Sequence, residues 1–469
     1  MSKEKELFRN TAIITFGKVC TQLVSFLLLP LYTALLSKEE YGVIDLVLTY
    51  TTLILPFITL AMEQALFRFL IDVRDDDDKC GKYIATTVIV SVFSSAVLCC
   101  FSIILAFIFS KVLFAYFGLV LVAVTISTLS LQISRGLGDN LGYALSSSGA
   151  AICQVVCNVL FLVVFKWGVN GMMIATIIGN LFGGMVTCYR CKLKKYIKIK
   201  YYNNECLKEL CKYSIPLIPN QLSWWALNAS NKVIVNLFMG VAANGLIAVA
   251  NKFSGIYIQF SNIFNVSWTE SVALHIQDSD AEQFISKTIN KVYRLFLCCC
   301  CGIISCMPFV FPVMVNVQYT NAYGLIPIFM ISSLFNVVVS LYGVIYVAYK
   351  KTREIAKTAI YAAVLSILSH LILINYIGIY AAAVSTMIGY GSMAVYRYFH
   401  SRRYLVIKFS NKTLLISVLM IGLSTLSYYS GNMYIQTIAL LIMIALSIAL
   451  NLPILKQMTK TIRIRFREK

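Results

Sequence analysis

Apolar stretches about as long as a bilayer is thick follow one another along this chain, and nothing else in the sequence restricts the fold so strongly. A helix needs about 20 mainly apolar residues to cross hydrocarbon. Fourteen such windows occupy residues 11–36, 41–69, 83–109, 113–133, 143–165, 171–189, 214–238, 245–271, 292–313, 324–348, 355–374, 380–396, 413–429 and 434–455. The breaks between the third and fourth windows, and between the last two, are weak, so the count lies between twelve and fourteen. Hydrocarbon offers a backbone N–H or C=O no partner, so spans of this kind form helices that satisfy their own backbone. The expected fold class is therefore all-α, a polytopic membrane protein. With 59% hydrophobic and 13% charged residues among 469, the runs exceed what a soluble core would absorb. The first span is too long for a signal-peptide core and no Ala-x-Ala site follows it, so it is expected to remain in the mature chain.

The net charge of +20 suggests nucleic acid until its distribution is followed. With fourteen spans and the N-terminus inside, the outer loops hold only Lys38, Lys111 and Lys166. Lys18, Lys232 and Lys252 fall within spans, and the rest of the 40 Lys and Arg lie on the cytoplasmic side. That is the positive-inside bias, with the single Arg135 loop a tie. Basicity here reports topology with both termini cytoplasmic, and no nucleic-acid partner is expected.

The longest basic segment, 190–212, separates two halves that resemble each other. Glu-Tyr-Gly-Val-Ile-Asp at 40–45 aligns with Ala-Asn-Gly-Leu-Ile-Ala at 243–248, an offset of 203. Gly-Val-Asn-Gly at 168–171 with Thr-Ile-Ile-Gly at 176–179 aligns with Gly-Ile-Tyr-Ala at 378–381 and Thr-Met-Ile-Gly at 386–389, an offset of 210. An even number of spans per half gives parallel repeats about an axis along the membrane normal, with a substrate site at their interface. The expected organisation is an N-lobe of spans 1–6 (residues 1–190), a basic linker (191–213), a C-lobe of spans 7–12 (214–400), and a C-terminal helix pair with a basic tail (401–469).

Polar stripes pick out four spans. Thr11, Thr15, Lys18, Gln22 and Ser25 share one helical face of the first; Asp45, Thr49, Thr52, Pro56, Thr59 and Glu63 share one of the second. Gln221, Trp225, Asn228 and Lys232 repeat the pattern in the seventh, and Lys252, Gly255, Gln259 and Asn262 in the eighth. Lipid cannot satisfy such faces, so they are expected to line a central cavity. A charge at membrane depth costs about 2.5–3.5 kcal/mol on insertion scales, which favours a partner, water or an anionic ligand. Lys18 and Glu63 lie at one level in the inner half, where an ion pair is the plain reading. Lys232 and Lys252 lie in the outer half with only Asp45 near their level. Their alternatives are snorkelling to the outer interface or holding a ligand anion such as phosphate.

A series of motifs begins with Leu-Pro-Leu-Tyr-Thr-Ala-Leu-Leu-Ser-Lys-Glu-Glu-Tyr-Gly-Val-Ile-Asp-Leu at 29–46, Ala-Leu-Phe-Arg-Phe at 65–69 and Arg-Gly-Leu-Gly-Asp-Asn at 135–140. Phe-Lys-Trp-Gly-Val-Asn-Gly at 165–171, Tyr-Ser-Ile-Pro-Leu-Ile-Pro at 213–219 and Val-Ala-Asn-Lys-Phe at 249–253 continue it. Over residues 5–400 the series resembles polysaccharide-biosynthesis flippases of the O-antigen and capsule type. That family belongs to the multidrug/oligosaccharidyl-lipid/polysaccharide exporter superfamily, and the resemblance implies a MATE-like fold of two six-helix lobes plus two C-terminal helices. It implies a polyprenyl-diphosphate-linked oligosaccharide (an O-antigen, capsule or exopolysaccharide repeat unit) moved from the inner to the outer leaflet of a bacterial plasma membrane. Substrate binding then falls to Lys18, Gln22, Gln221, Trp225, Asn228, Lys232, Lys252, Gln259 and Asn262, with Glu63 and Asp45 for coupling to a proton or sodium gradient. A polysaccharide polymerase is an expected partner, besides the bilayer itself.

The remaining features read as structural. Pro30, Pro56, Pro216 and Pro219 are placed to kink cavity helices. Trp224, Trp225 and Trp268 suit stacking on sugar rings or plain packing. The fifteen cysteines lie mostly inside spans, where the thiol acts as a small apolar group. Cys188-x-x-Cys191 with Cys206 and Cys211 has zinc-ligand types, but the second pair is spaced by five on an expected helix. Residues 75–78, all Asp, read as a solvated turn, and His370 with Ser366 as a contact within one helix. No nucleophile–base pair and no phosphate-cradling glycine loop occurs, so neither catalysis, a cofactor nor a metal is expected. The rivals are a multidrug or cation antiporter of the same superfamily, which would want acids in its cavity, an enzyme acting on the same lipid-linked glycans, and an unselective scramblase.

Overall fold

The computed structural model describes residues 26–349 and 351–467, with side chains placed for all of these except Leu274, Thr352 and 453–467. Among the described residues there are helices, turns and short extended joints but no strand. Contacts divide the chain into two compact units, Met1–Ala248 and Val249–Lys469. Eleven helical stretches among the described residues are long and apolar enough to cross a membrane. The protein is a multi-pass membrane protein.

In the first unit the helices are α1 (Leu29–Leu35), α2 (Lys38–Ile58), α3 (Met62–Asp72), α4 (Asp77–Phe109), α5 (Val112–Gly136), α6 (Asn140–Val159), α7 (Gly168–Arg190), α8 (Asn204–Ser214) and α9 (Ile218–Met239). α10 (Val241–His275) begins there and continues into the second unit. The second unit adds α11 (Ala281–Met314), α12 (Ile326–Ala348), α13 (Thr352–Ile377), α14 (Tyr380–Ser401), α15 (Asn411–Tyr429) and α16 (Met433–Arg467). α9 and α14 occupy the seventh and twelfth expected spans but are not among the eleven. The amides and Lys232 of α9, and the tyrosines and serines of α14, dilute their apolar content.

The expected second span is broken. α2 stops at Ile58, and Leu60 and Ala61 adopt left-handed conformations (φ 50° and 53°) before α3 begins. Pro56 lacks an N–H and its ring crowds the carbonyl one turn back. The Ala61 N–H then closes a wide turn onto the Pro56 carbonyl at 3.0 Å. Two left-handed side-chain-bearing residues are costly, about 1–2 kcal/mol each, so tertiary packing must hold them. Met62 and Ala65, immediately beyond, are fully buried against Leu210 of α8. Of the other three prolines expected to kink helices, Pro30 and Pro219 sit in the first turn of α1 and α9, and Pro216 in the short turn before α9. They start helices, where their missing N–H is not needed.

The basic linker is folded onto the first unit. Leu193 joins Leu66, Leu70, Ile84 and Ile133 in one buried cluster, while α8 buries Leu210 in another. Ionic groups frame both. Arg190 forks onto Asp139 with two 3.0 Å bonds, and Tyr83 donates to Glu209 at 2.7 Å. Burial alone would push the Asp139 carboxyl up, but the Arg190 guanidinium and the Gly142 N–H hold it below the usual carboxylate range. The acidic run is more than a solvated turn. Asp76 caps α4, Asp77 accepts from Lys195 and Tyr196, and Asp78 accepts from Tyr201.

The matched motifs at 40–45 and 243–248 meet in space. A Cβ added to Gly42 would stand 2.2 Å from the Val241 carbonyl oxygen, and one added to Gly245 would stand 2.1 Å from the Lys38 carbonyl oxygen. Both pairs of residues, 42 with 245 and 38 with 241, are related by the sequence offset of 203. The contact is reciprocal, and small residues at a membrane helix crossing let two backbones touch. Gly245→Val is expected to lower the thermal unfolding midpoint in detergent, costing at least the 1–3 kcal/mol (about) typical of overpacking. Gly255→Ala, where nothing lies within 4 Å of the new carbon, is expected to leave the midpoint unchanged. Equal midpoints for wild type and Gly245→Val would contradict the close approach.

Candidate functional site

The polar faces of α2 and α9 are joined directly. Lys232 Nζ donates to Asp45 Oδ1 at 2.8 Å, and the two side chains are only 18% and 19% exposed. About two turns nearer the start of α9, the Trp225 indole N–H donates to the Thr49 carbonyl at 3.2 Å. These two links fix α9 antiparallel to α2. Gly240, with φ 84°, then turns the chain into α10. Asn244, in the first turn of α10 and fully buried, donates to the Gly42 carbonyl at 3.0 Å and to Asp45 Oδ2 at 3.3 Å. The Asp45 carboxylate thus bridges a lysine and an amide, one on each oxygen. It also faces a helix N-terminus, where the backbone dipole favours negative charge.

Asp45, Trp225 and Lys232 are therefore brought together, and the carboxylate near Lys232 in level is its partner. Gln221 lies on the same helix; its buried Nε2 has no hydrogen-bond partner among the described residues. Asn228 is exposed and its amide turns back to the Trp224 carbonyl at 2.7 Å. On the part of α10 in the second unit, Lys252 and Gln259 are half-buried and Asn262 is exposed, and among the described residues nothing lies within 4 Å of a carbon added at Gly255. Glu63 is buried just beyond the break after α2, where the Thr59 hydroxyl donates to it at 2.8 Å. Lys18 and Gln22, with the expected Lys18–Glu63 pair, lie outside the described residues.

Some expectations change. Trp268 is buried, bonded through its N–H to the Leu341 carbonyl at 3.3 Å and stacked on Phe264, so it packs the second unit and is not offered to a sugar. His370 is buried with no hydrogen bond to Ser366; its Nε2 has no partner among the described residues. No group of three or more His, Cys, Asp or Glu among the described residues is placed to hold a metal ion. Asn244 was missed as a site residue. Its place in the repeated motif, beside Gly245, was the available signal.

Removing one partner of a buried ion pair leaves an uncompensated charge, at a cost of about 3–5 kcal/mol for a fully buried pair. This pair is slightly exposed, so the cost falls toward or below that range. Asp45→Leu and Lys232→Met are each expected to destabilise the protein, and the double variant less than the sum of the two. Strict additivity in thermal unfolding would show that the 2.8 Å contact does not couple them.

Similarity to known proteins fits this architecture. The chain matches the family of polysaccharide biosynthesis proteins over residues 7–272, more than half its length. A comparison with curated protein sequences gave no match. Among solved structures, the lipid II flippase MurJ in an inward closed conformation superposes with a TM-score of 0.68 at 14% identity, covering 96% of this chain and 100% of MurJ. An inward-facing multidrug resistance MATE family transporter of the MOP superfamily gives 0.67 at 15% identity, covering 81% and 94%. A MOP superfamily transporter from Pyrococcus furiosus, described as having reversed polarity of its binding pocket, gives 0.54 at 14% identity, covering 84% and 94%. Such identities speak for fold alone. The chain belongs to the polysaccharide biosynthesis protein family and has the fold shared by MATE transporters and the MurJ flippase.

Proposed function

We propose that the protein is a flippase that moves a polyprenyl-diphosphate-linked oligosaccharide from the cytoplasmic to the outer leaflet of the plasma membrane by alternating access. The observation that carries this reading is a cation-bearing polar face on a membrane helix, α9, in a chain of the polysaccharide biosynthesis family. Such cargo has a polyhydroxylated, doubly phosphorylated head that hydrocarbon rejects and a tail that cannot leave it. The protein must give the head a wet polar path and the tail a lateral opening. Lysines suit the diphosphate as point charges, and amides such as Gln221 and Asn228 suit the sugars.

The Asp45–Lys232 pair refines how the site would act. Lys232 is neutralised by Asp45, so capture of a ligand anion is an exchange: phosphate takes the lysine and the carboxylate is released toward Asn244. Lys252, Gln259 and Asn262 are the second group of binding residues, and Lys18 and Gln22 the third. Coupling to a proton or sodium gradient falls to Asp45, whose charge is needed only while it holds Lys232, or to the buried Glu63. The MATE-type alternative, export of a cationic drug, would find two of the site's charged positions, Lys232 and Lys252, of the wrong sign.

Lys232→Ala and Lys252→Ala are expected to abolish surface polysaccharide, with lipid-linked repeat units accumulating on the inner leaflet, out of proportion to any fall in the amount of protein in the membrane. Surface polysaccharide at wild-type levels in both variants would remove the lysines from the site. Resistance to cationic drugs conferred by the wild-type protein, with no effect on polysaccharide, would favour the antiporter.

A further inference from the structure

A second charged site lies in the second unit and shares no residue with the polar faces described above. A cavity of about 760 Å³ opens between the first four turns of α11, the extended joint between α14 and α15, and Leu450 of α16. Four cations line it: Lys287, Lys291 and Arg294 of α11 and Lys408 of the joint. Among the described residues Glu282 is the one carboxylate in the lining, and it accepts from the Val406 N–H at 3.2 Å.

The joint is held in place by a matched ladder. Glu282, Ser286 and Asn290 accept in turn from the N–H groups of Val406, Lys408 and Ser410, at 3.2, 3.1 and 3.0 Å. Four residues of helix rise about 6.0 Å, and two of extended chain about 6.6–6.8 Å, so the two periods stay nearly in step over three bonds. Asn290 adds a second bond, to the Lys408 carbonyl at 2.9 Å. The alternation of an extended chain then buries Leu405 and Ile407 and turns Val406 and Lys408 outward. Phe409 packs edge-on to Tyr293 at 5.1 Å. Lys408 therefore stands over the lysine face of α11 because the backbone ladder puts it there, against the repulsion of like charges.

Position and chemistry together identify the occupant. Lys287, Lys291 and Arg294 are spaced i, i+4, i+7 on one face and straddle the start of the apolar run at Val292, so they sit at the level of lipid phosphates. The charge bias assigns this end of all three elements to the cytoplasmic leaflet. A volume in the range of sites for drug-sized ligands, about 300–1,000 Å³, exceeds what an isolated inorganic anion needs. The topology rule asks for basic loops, whereas these cations converge on one cavity with an apolar wall from Leu450. Basic pockets between membrane helices on that side are suited to phosphate-bearing lipid headgroups.

We propose that this cavity binds the headgroup of an anionic glycerophospholipid of the cytoplasmic leaflet. The proposal is independent of the cargo read from α9. Its test uses the full-length protein in neutral detergent, with thermal unfolding followed on adding phosphatidylglycerol, phosphatidylcholine or inorganic phosphate. Phosphatidylglycerol is expected to raise the midpoint by several degrees, and the other two additions to leave it unmoved. The Lys287→Glu/Lys408→Glu variant is expected to lose most of the rise. Lys194→Glu/Lys198→Glu, which removes equal charge from the linker, is expected to keep it. Lys287→Gln/Lys408→Gln serves if the charge reversal impairs folding. Equal loss in the cavity and linker variants would mean diffuse attraction and overturn the site. An equal rise with phosphatidylcholine would overturn charge recognition, and an equal rise with inorganic phosphate would overturn the lipid assignment.

Discussion

Hydrocarbon supplies no hydrogen bonds, so every polar group inside a span must be satisfied by the protein, by water or by a ligand. Most of this chain meets the demand locally. Thr51, Thr125 and Ser223 donate to carbonyls one turn back, on Val47, Leu121 and Pro219, each at 2.8 Å. Other groups meet it by tying helices together: Ser146 to Thr187 at 2.7 Å joins α6 to α7, and Asn158 to the Tyr32 hydroxyl at 2.7 Å joins α6 to α1. Arg397 of α14 is the extreme case in the second unit. It is 2% exposed and reaches the Val339 carbonyl of α12 at 2.9 Å and the Thr358 hydroxyl of α13 at 2.9 and 3.2 Å. Gly343 makes room for it, since a Cβ there would stand 2.5 Å from the guanidinium. The α2–α9 interface solves the same problem with a full ion pair, and that choice sets it apart.

A buried ion pair is weak evidence for stability, because desolvation offsets much of the attraction. A hydrocarbon-matched pair of leucines would pack two helices at least as firmly. Polar groups kept at such a place are consistent with a contact that forms and breaks. The neighbouring features have the same character. The reciprocal glycine crossing of Gly42 and Gly245 provides close approach without interlocked side chains, and the left-handed Leu60–Ala61 break divides α2 from α3 beside a buried carboxylate.

Hydropathy made most of the fold legible, because the solvent imposes the helix and its length. The described helices cover the second to fourteenth expected spans, the second in two pieces, with α11 beginning 11 residues before and α16 ending 12 residues after the expected bounds. What hydropathy could not see was backbone detail. The break after Ile58 follows from Pro56 acting together with burial of Met62 and Ala65 under α8, which is a tertiary fact. The linker was taken for a connector because its composition is polar, yet two buried leucines, Leu193 and Leu210, and a row of acids fold it back onto the first unit. Helical-face analysis placed Asp45 and Lys232 on polar stripes, and the repeat placed Asn244 beside a glycine. That one carboxylate would bridge both depended on the α9–α10 turn at Gly240, which no periodicity encodes. Trp268 failed as a sugar platform for a related reason: a tryptophan suits a sugar and a core equally well, and only burial separates them.

The pairing also bears on selectivity in the proposed function. A bare lysine at membrane depth would attract any anion that reached it, and the protein would bear its desolvation at every step. Lys232 held by Asp45 would avoid that cost, because the lysine would pass from one anion to another without standing alone. Only cargo that brings its own negative charge would then displace the carboxylate, and a free oligosaccharide would gain no purchase however well its hydroxyls fit. Displacement would also free the Asp45 carboxylate from Lys232. A carboxylate released in this way, still near the N-terminus of α10 and the amide of Asn244, is where a proton or a sodium ion would find a site created by the arrival of the cargo. Substrate recognition and ion coupling would then be two consequences of one exchange at Asp45.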